Sequence, residues 1–340
     1  MSEIRVLQVG LGPIGQMVTR YLLDRGGFEV VAAVDADMSL IGLDLGDLAD
    51  VGPLGVEVSG TVPAALNGVE ADVAIVSTTS SLSRLEKQLP PLLAHKLPIV
   101  STCEELVYPW SSQPEVARRI DAAARQAGAP ILGVGVNPGF LMDLLPVALS
   151  GVCQRVDQIT VERVQDAQFR RLPFQQKIGA GLTPAQFDAK VREGTLRHVG
   201  LTESMHMIAA AFGWKLVETE EQIEPVITER EVRTADLTVA PGQAVGVTQR
   251  GYGYRLGDDA DTPAIALIFR AAVGEPESYE CIVLQGVPPI EMRIPGGVNG
   301  DVATCAVVVN AARALAASGA DHVQPGLRTM LDIAPIRFSE

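Results

Sequence analysis

Two adjacent carboxylates, Glu104 and Glu105, follow a short apolar run from Pro98 to Ser101. Neighbouring side chains point in different directions in most backbone conformations. One carboxylate can therefore enter a cleft as a proton acceptor while the other caps the next turn. The plainer alternative is that both are solvated surface charges, the ordinary fate of glutamate. Cys103 stands directly before them. A thiol at such a place is a nucleophile if a base activates it, and no His base lies close in sequence. A thiol-dependent semialdehyde dehydrogenase is thus the rival chemistry, and a small packing residue is the structural alternative.

A second group with chemical meaning is the turn Gly10-Leu11-Gly12-Pro13-Ile14-Gly15, a GxGxxG pattern. Alone the pattern is weak. Here a strand run, Ile4 to Val9, precedes it, and an amphipathic helix with Pro13 at its start follows. Asp35 ends the second strand run, 20 residues past Gly15. That context is the fingerprint of a dinucleotide site. Gly10 permits the tight turn, Gly12 the close approach of a pyrophosphate and Gly15 close helix packing, with the free N–H groups of the helix facing the phosphates. Asp35 is placed to accept from an adenosine ribose. Ala36-Asp37-Met38 offers no cation for a 2′-phosphate, so of NAD and NADP the reading favours NAD. Ser77, Thr78 and Thr79 end a strand of the same sheet. Their hydroxyls either line the nicotinamide ribose or cap the next helix.

The elements that must carry these groups follow from periodicity. Apolar runs at Ile4–Val9, Phe28–Val34, Asp72–Ser77, Pro98–Ser101 and Pro130–Val134 alternate with helical patterns. One of these is a single helix marked by Leu82, Leu85, Leu89, Leu92 and Leu93, and another runs from Pro114 to Gln126. Strands apolar on both faces and separated by helices predict a Rossmann-type, doubly wound parallel sheet. After Asn137-Pro138-Gly139 the rhythm changes. A helix is expected from about Phe140 to Leu149, then a strand from Val156 to Val164, helices near Pro184–Arg192 and Leu201–Phe212, and several strands between Trp214 and Arg293. This predicts an α+β second domain with a largely antiparallel sheet. The division is 1–135 for the dinucleotide domain, 136–300 for substrate and dimerisation, and 301–340 for a terminal helix and tail packing back on the first domain.

Taken together, these motifs resemble the family of 2,4-diaminopentanoate dehydrogenases and native amine dehydrogenases, related in its first domain to dihydrodipicolinate reductases. The resemblance covers nearly the whole chain. It rests on Val9 to Gly15, Val100 to Leu106, Gly135 to Phe140, Lys177 to Leu182, His198 to Ser204, Pro295-Gly296-Gly297 and Gly300-Asp301. It implies NAD(P)-dependent oxidative deamination of a small amine or diamine, or reductive amination of a ketone or aldehyde with ammonia. It also implies a glutamate as the polar catalytic group, a role that falls on Glu104 first and Glu105 second. The carboxylate holds the substrate ammonium, takes its proton and stabilises the iminium cation that forms.

Around that centre, Asn137, Pro138 and Phe140 read as substrate-pocket residues at the domain junction, or as a turn into a helix. His198 reads as a substrate contact or a structural hydrogen-bonding residue. Asn310, on the final helix, reads either as a partner of the nicotinamide carboxamide or as an amide satisfied between packed helices. A non-catalytic NAD-binding redox sensor is a further alternative, since a fold does not fix a function.

Composition narrows the partners. With 41 acidic and 27 basic residues the net charge is −14, which argues against nucleic acid and anionic membrane surfaces. No apolar run is long enough to span a bilayer, and no leader pattern is present, so a cytoplasmic location is expected. The cysteines, at 103, 153, 281 and 305, and the scattered histidines suggest reduced thiols and no metal site. The long β-rich region and the resemblance together predict a homodimer.

Overall fold

In the computed structural model, residues 3–258, 262–317 and 323–333 are described. The chain runs β1 (Ile4–Val9), α1 (Pro13–Arg25), β2 (Phe28–Val34), α2 (Leu45–Leu48), β3 (Val58–Ser59), α3 (Val62–Ala65), β4 (Val73–Val76), α4 (Leu82–Glu86), α5 (Leu89–Ala94) and β5 (Ile99–Ser101). Then come α6 (Pro109–Ser112), α7 (Pro114–Ala127), β6 (Pro130–Gly133), α8 (Leu144–Leu149), β7 (Arg155–Asp166), α9 (Leu172–Lys177), α10 (Pro184–Arg192) and α11 (Leu201–Ala211). Next are β8 (Leu216–Ile227), β9 (Val232–Arg233), β10 (Thr238–Val239), β11 (Ala244–Arg255), β12 (Ile265–Ala272), β13 (Tyr279–Val287) and β14 (Ile290–Pro295). The chain closes with α12 (Gly300–Ala317) and β15 (Gly326–Arg328).

Two compact units result, residues 1–140 with 299–340, and residues 141–298. In the first, seven parallel strands are ordered β15-β6-β5-β4-β1-β2-β3. The order reverses between β1 and β4, the place where open α/β sheets bind ligands. One face buries Leu7, Val9, Val34, Val76 and Ile131 with Leu82, Leu85 and Leu92 of α4 and α5 and Ile120 of α7. The opposite face is covered by α1 and α12, which also touch each other. Strands buried on both sides need apolar residues at every position, and Val73–Val76 is buried throughout.

The structure differs from the sequence reading in local ways. The leucine-rich helix is two short ones, α4 and α5. Pro90 and Pro91 fit the first turn of a new helix but not the interior of a continuous one. The helix expected from Phe140 begins only at Leu144, where the Asp143 carboxylate accepts from the Leu144 N–H. β15 adds an edge strand that no periodicity announced, three residues being too few to show one. Of the terminal segment, residues 318–322 and 334–340 lie outside those described.

The second unit carries a six-stranded sheet, β14-β13-β7-β12-β11-β8. Every neighbouring pair is antiparallel except β12 with β7, so the sheet is mixed. The helix α11 lies on one face, with Leu201 and Met205 against Gly251. The same face holds a buried row across the strands, Glu280, Arg163, Phe269 and Gln249.

Candidate active site

The carboxyl ends of β1, β4, β5 and β6 lie side by side along one edge of the parallel sheet. They deliver the Gly turn, Ser77–Ser80, Ser101–Glu105 and Val134–Phe140 to that edge. The turn is built by steric exclusion. Gly10 has φ +89°, and a Cβ on it would lie 2.7 Å from the Ser77 carbonyl oxygen. A Cβ on Gly15 would fall 1.9 Å from the Gly10 carbonyl oxygen, so Gly15 makes room for the turn itself.

Gly12 is the N-cap of α1, extended, and no side chain caps the helix. The space where its Cβ would stand is open. Pro13 occupies the first turn and Ile14 follows it. The uncapped first-turn N–H groups and the open approach at Gly12 suit a pyrophosphate. Asp35 completes the fit. Its Oδ2 accepts from the Leu11 N–H at 2.6 Å and its Oδ1 from the Asp37 N–H at 2.8 Å, which holds the carboxylate beside the Gly turn. The residues present therefore fit a dinucleotide.

Beyond β4 the three hydroxyls diverge. Ser77 Oγ donates to the Gly10 carbonyl at 3.0 Å and so stitches the turn to β4. Thr78 Oγ1 donates to Gln88 Oε1 at 2.5 Å, and Thr79 Oγ1 accepts from the Ser81 N–H at 3.1 Å.

The paired glutamates open a short 3-10 turn, Glu104–Leu106, after β5. Their side chains part. Glu105 Oε2 accepts from the Leu82 N–H and from Gln113 Nε2, both at 2.8 Å. The Glu104 carboxylate is half-buried and has no hydrogen bond or ion pair among the described residues. Between the strand and this turn, Cys103 is fully buried in the core with Leu82 and Leu106. Burial, reinforced by the two nearby carboxylates, pushes its thiol far above the usual range. A thiol so placed is not a nucleophile at neutral pH.

Asn137 and Pro138 are buried and joined by a cis peptide, and Phe140 is half-buried. The loop is tied to α12 by the Val136 N–H, which donates to Thr304 Oγ1 at 3.3 Å. Asn310 is not brought to this edge. Its Oδ1 accepts from Arg25 at the last turn of α1, the end of that helix remote from the Gly turn. The carboxamide role expected of it therefore gives way to the helix-to-helix contact.

His198 belongs to the second unit. Its ring packs on Phe269 at 4.3 Å between centroids. Gln249 brackets its backbone, Oε1 accepting from the His198 N–H at 2.7 Å and Nε2 donating to its carbonyl at 3.1 Å. Burial, with Lys177 and Arg163 adding to it, lowers the imidazole pKa to about 3, so the ring is neutral. Under the same face Arg163 Nη1 and Glu280 Oε1 pair at 2.8 Å, both almost wholly buried. Burial raises Glu280 to about 7 against the pull of Arg163, and lowers Arg163 to about 10. Sequence reasoning passed over this pair, because residues so far apart in the chain share a row only once β7 and β13 are in register.

Among the described residues no helix is long and apolar enough to cross a membrane, and no cluster of His, Cys, Asp or Glu is placed to hold a metal. The doubly wound sheet, its Gly turn and the acid at the end of β2 define a dinucleotide-binding protein of the Rossmann class. The family model for the 2,4-diaminopentanoate dehydrogenase C-terminal domain matches residues 140–338, and that for the N-terminus of dihydrodipicolinate reductase matches residues 4–103. The chain is 31% identical to the 2,4-diaminopentanoate dehydrogenase of Acetoanaerobium sticklandii, over 98% of this chain and 94% of that one. It is 23% identical to the amine dehydrogenase of Streptomyces virginiae, over 62% of this chain and 60% of that one. The solved amine dehydrogenase from Mycobacterium smegmatis shares the fold, with a TM-score of 0.84 at 24% identity, covering 100% of this chain and 98% of that one. The chain belongs to the 2,4-diaminopentanoate dehydrogenase family, a group of oxidoreductases that act on amine donors with a nicotinamide cofactor.

Proposed function

We propose that this protein oxidatively deaminates a small amine or diamine, or runs the reverse reductive amination with ammonia, using Glu104 as its polar catalytic group. The observation that carries the reading is the contrast within the glutamate pair. Glu105 is consumed as a cap, while Glu104 keeps an unengaged carboxylate on the sheet edge that holds the Gly turn. Bound along that edge, a nicotinamide supplies the hydride acceptor for deamination and the donor for the reverse.

Glu104 takes a proton from the substrate ammonium, which frees the nitrogen lone pair, and releases that proton to solvent. The carbon bearing this nitrogen then gives up its hydride, and the restored carboxylate balances the iminium charge on the substrate. Glu104 next accepts a proton from the water that adds to the iminium carbon and hands it to the nitrogen; ammonia leaves as the C–N bond breaks, and the hydroxyl proton passes back to Glu104 as the carbonyl forms. Asn137, Pro138 and Phe140 form pocket wall beside it. Gly10, Gly12, Pro13, Ile14, Gly15 and Asp35 hold the dinucleotide. Thr78 and Thr79 edge the site, and Ser77 supports the turn.

NAD is preferred over NADP. Asp35 faces the Gly turn, and Asp37, whose carboxyl the Ser39 hydroxyl and N–H hold below the usual range, adds a second negative charge two residues on. A 2′-phosphate would meet both.

The test is a reduction screen with each cofactor over short amines, amino acids and 2,4-diaminopentanoate, the substrate in the name of the Acetoanaerobium relative. The reverse assay uses short ketones and aldehydes with ammonium and NADH. Activity on hydroxy acids or acyl-linked aldehydes without amine activity overturns the reading.

The protein is proposed to be a homodimer that uses the sheet face away from α11, where Thr160, Glu162, Ile268 and Val283 are half-buried. Sedimentation at low concentration checks this, and a single 36.0 kDa species overturns it.

A further inference from the structure

We infer that Gln8 is a positioning residue of the cofactor site, acting through Ser77 and the Gly10 carbonyl to fix the Leu11 N–H that holds Asp35. Gln8 lies inside β1 and is wholly buried, in a strand otherwise apolar from Val6 to Val9. A buried amide is costly there unless it is used. Among the described residues its Oε1 has no hydrogen-bond partner. Its Nε2 has two, the Gly10 carbonyl at 3.2 Å and Ser77 Oγ at 3.1 Å. Ser77 Oγ passes a hydrogen bond on to the same carbonyl at 3.0 Å.

Two side chains thus draw the Gly10 oxygen inward, into the space that Gly15 leaves by having no Cβ. The Gly10–Leu11 peptide is planar and trans, so an inward carbonyl sends the Leu11 N–H the opposite way. That N–H meets Asp35 Oδ2 at 2.6 Å. The contacts form one chain, from the interior of β1 through a single peptide plane to the acid at the end of β2. Removing the inward pull frees the peptide to rotate, and Asp35 loses the donor that orients it.

The inference rests on the Gly turn being the dinucleotide site. The experiment is a fluorescence titration of NADH into the full chain carrying Gln8→Leu, Ser77→Ala, Asp35→Ala or Gln8→Leu with Asp35→Ala, with thermal unfolding of each apo protein alongside. Gln8→Leu and Ser77→Ala are each expected to weaken NADH binding roughly 3- to 10-fold, the worth of one or two net hydrogen bonds. In the Asp35→Ala background Gln8→Leu adds little further loss, because the orientation it protects is gone. A merely structural role would instead lower the melting temperature and weaken binding equally in both backgrounds. That result, or unchanged affinity in both single variants, overturns the inference. Should Gln8→Leu fail to fold, Ser77→Ala, with its double variant on Asp35→Ala, carries the same test. Absence of NADH binding by the wild-type chain overturns the site assignment instead.

Discussion

Glu105 reaches across the sheet edge to cap a helix it does not belong to. Its Oε2 accepts the Leu82 N–H at 2.8 Å, at the start of α4, where the side chain of the N-cap Ser81 does not cap the helix. The carboxylate one residue earlier, on Glu104, makes no such bond, so neighbours in sequence differ completely in employment.

Substitution separates the two roles. Glu105→Ala leaves the Leu82 N–H and the Gln113 amide without their acceptor, and is expected to cost about 1–2 kcal/mol in thermal unfolding. Glu104→Ala should leave stability unchanged and lower the rate roughly 10²- to 10⁴-fold, with NAD affinity intact. Glu104→Gln should be nearly as slow, because an amide neither accepts the proton nor balances an iminium. If Glu105→Gln is inactive and Glu104→Gln is active, the assignment is reversed.

Cys103→Ser should keep most activity and lose stability, by roughly 1–3 kcal/mol for a hydroxyl placed in an apolar core. Steady-state rates and urea unfolding measure the two effects. A folded but inactive serine variant would restore the thiol-dependent aldehyde chemistry.

His198 sets part of the acid limit. Its ordinary value of 6.5 falls to about 3 in the folded chain. Between these values the unfolded chain binds a proton that the folded chain refuses. Its contribution to stability is therefore full above about pH 6.5 and is lost as pH falls toward 3. Urea unfolding at a series of pH values should show a shallower acid limb for His198→Gln than for the wild type. Parallel limbs would mean the ring is protonated in the fold.

The buried pair Arg163–Glu280 should behave asymmetrically. Glu280→Leu alone strands the buried Arg163 cation, and about 3–5 kcal/mol is expected to be lost; Arg163→Met alone leaves a buried carboxyl that takes up a proton, and the loss is smaller. The double substitution should recover much of that loss, which a double-mutant cycle read by thermal unfolding would show. Simple additivity would contradict the pairing at 2.8 Å.

Much of this protein was legible in the sequence, because local rules apply where a function needs a particular backbone. Gly10, Gly15, Pro13 and Asp35 are dictated by a tight turn, a helix start and a strand end, and spacing alone reveals them. The parallel sheet is legible for the same reason, since strands buried on both faces read as unbroken apolar runs. The sequence narrowed the paired carboxylates to two residues without saying which one is a cap. That depended on Leu82 and Gln113 arriving beside Glu105, through chain segments whose relative placement no local pattern encodes. Asn310 looked like a site residue until the packing of α12 against α1 set it opposite Arg25. Gln8 stood in plain view as a polar residue in an apolar strand. Its use appeared only when β4 brought Ser77 alongside, because a side-chain hydrogen bond depends on distance in space and not on separation in sequence.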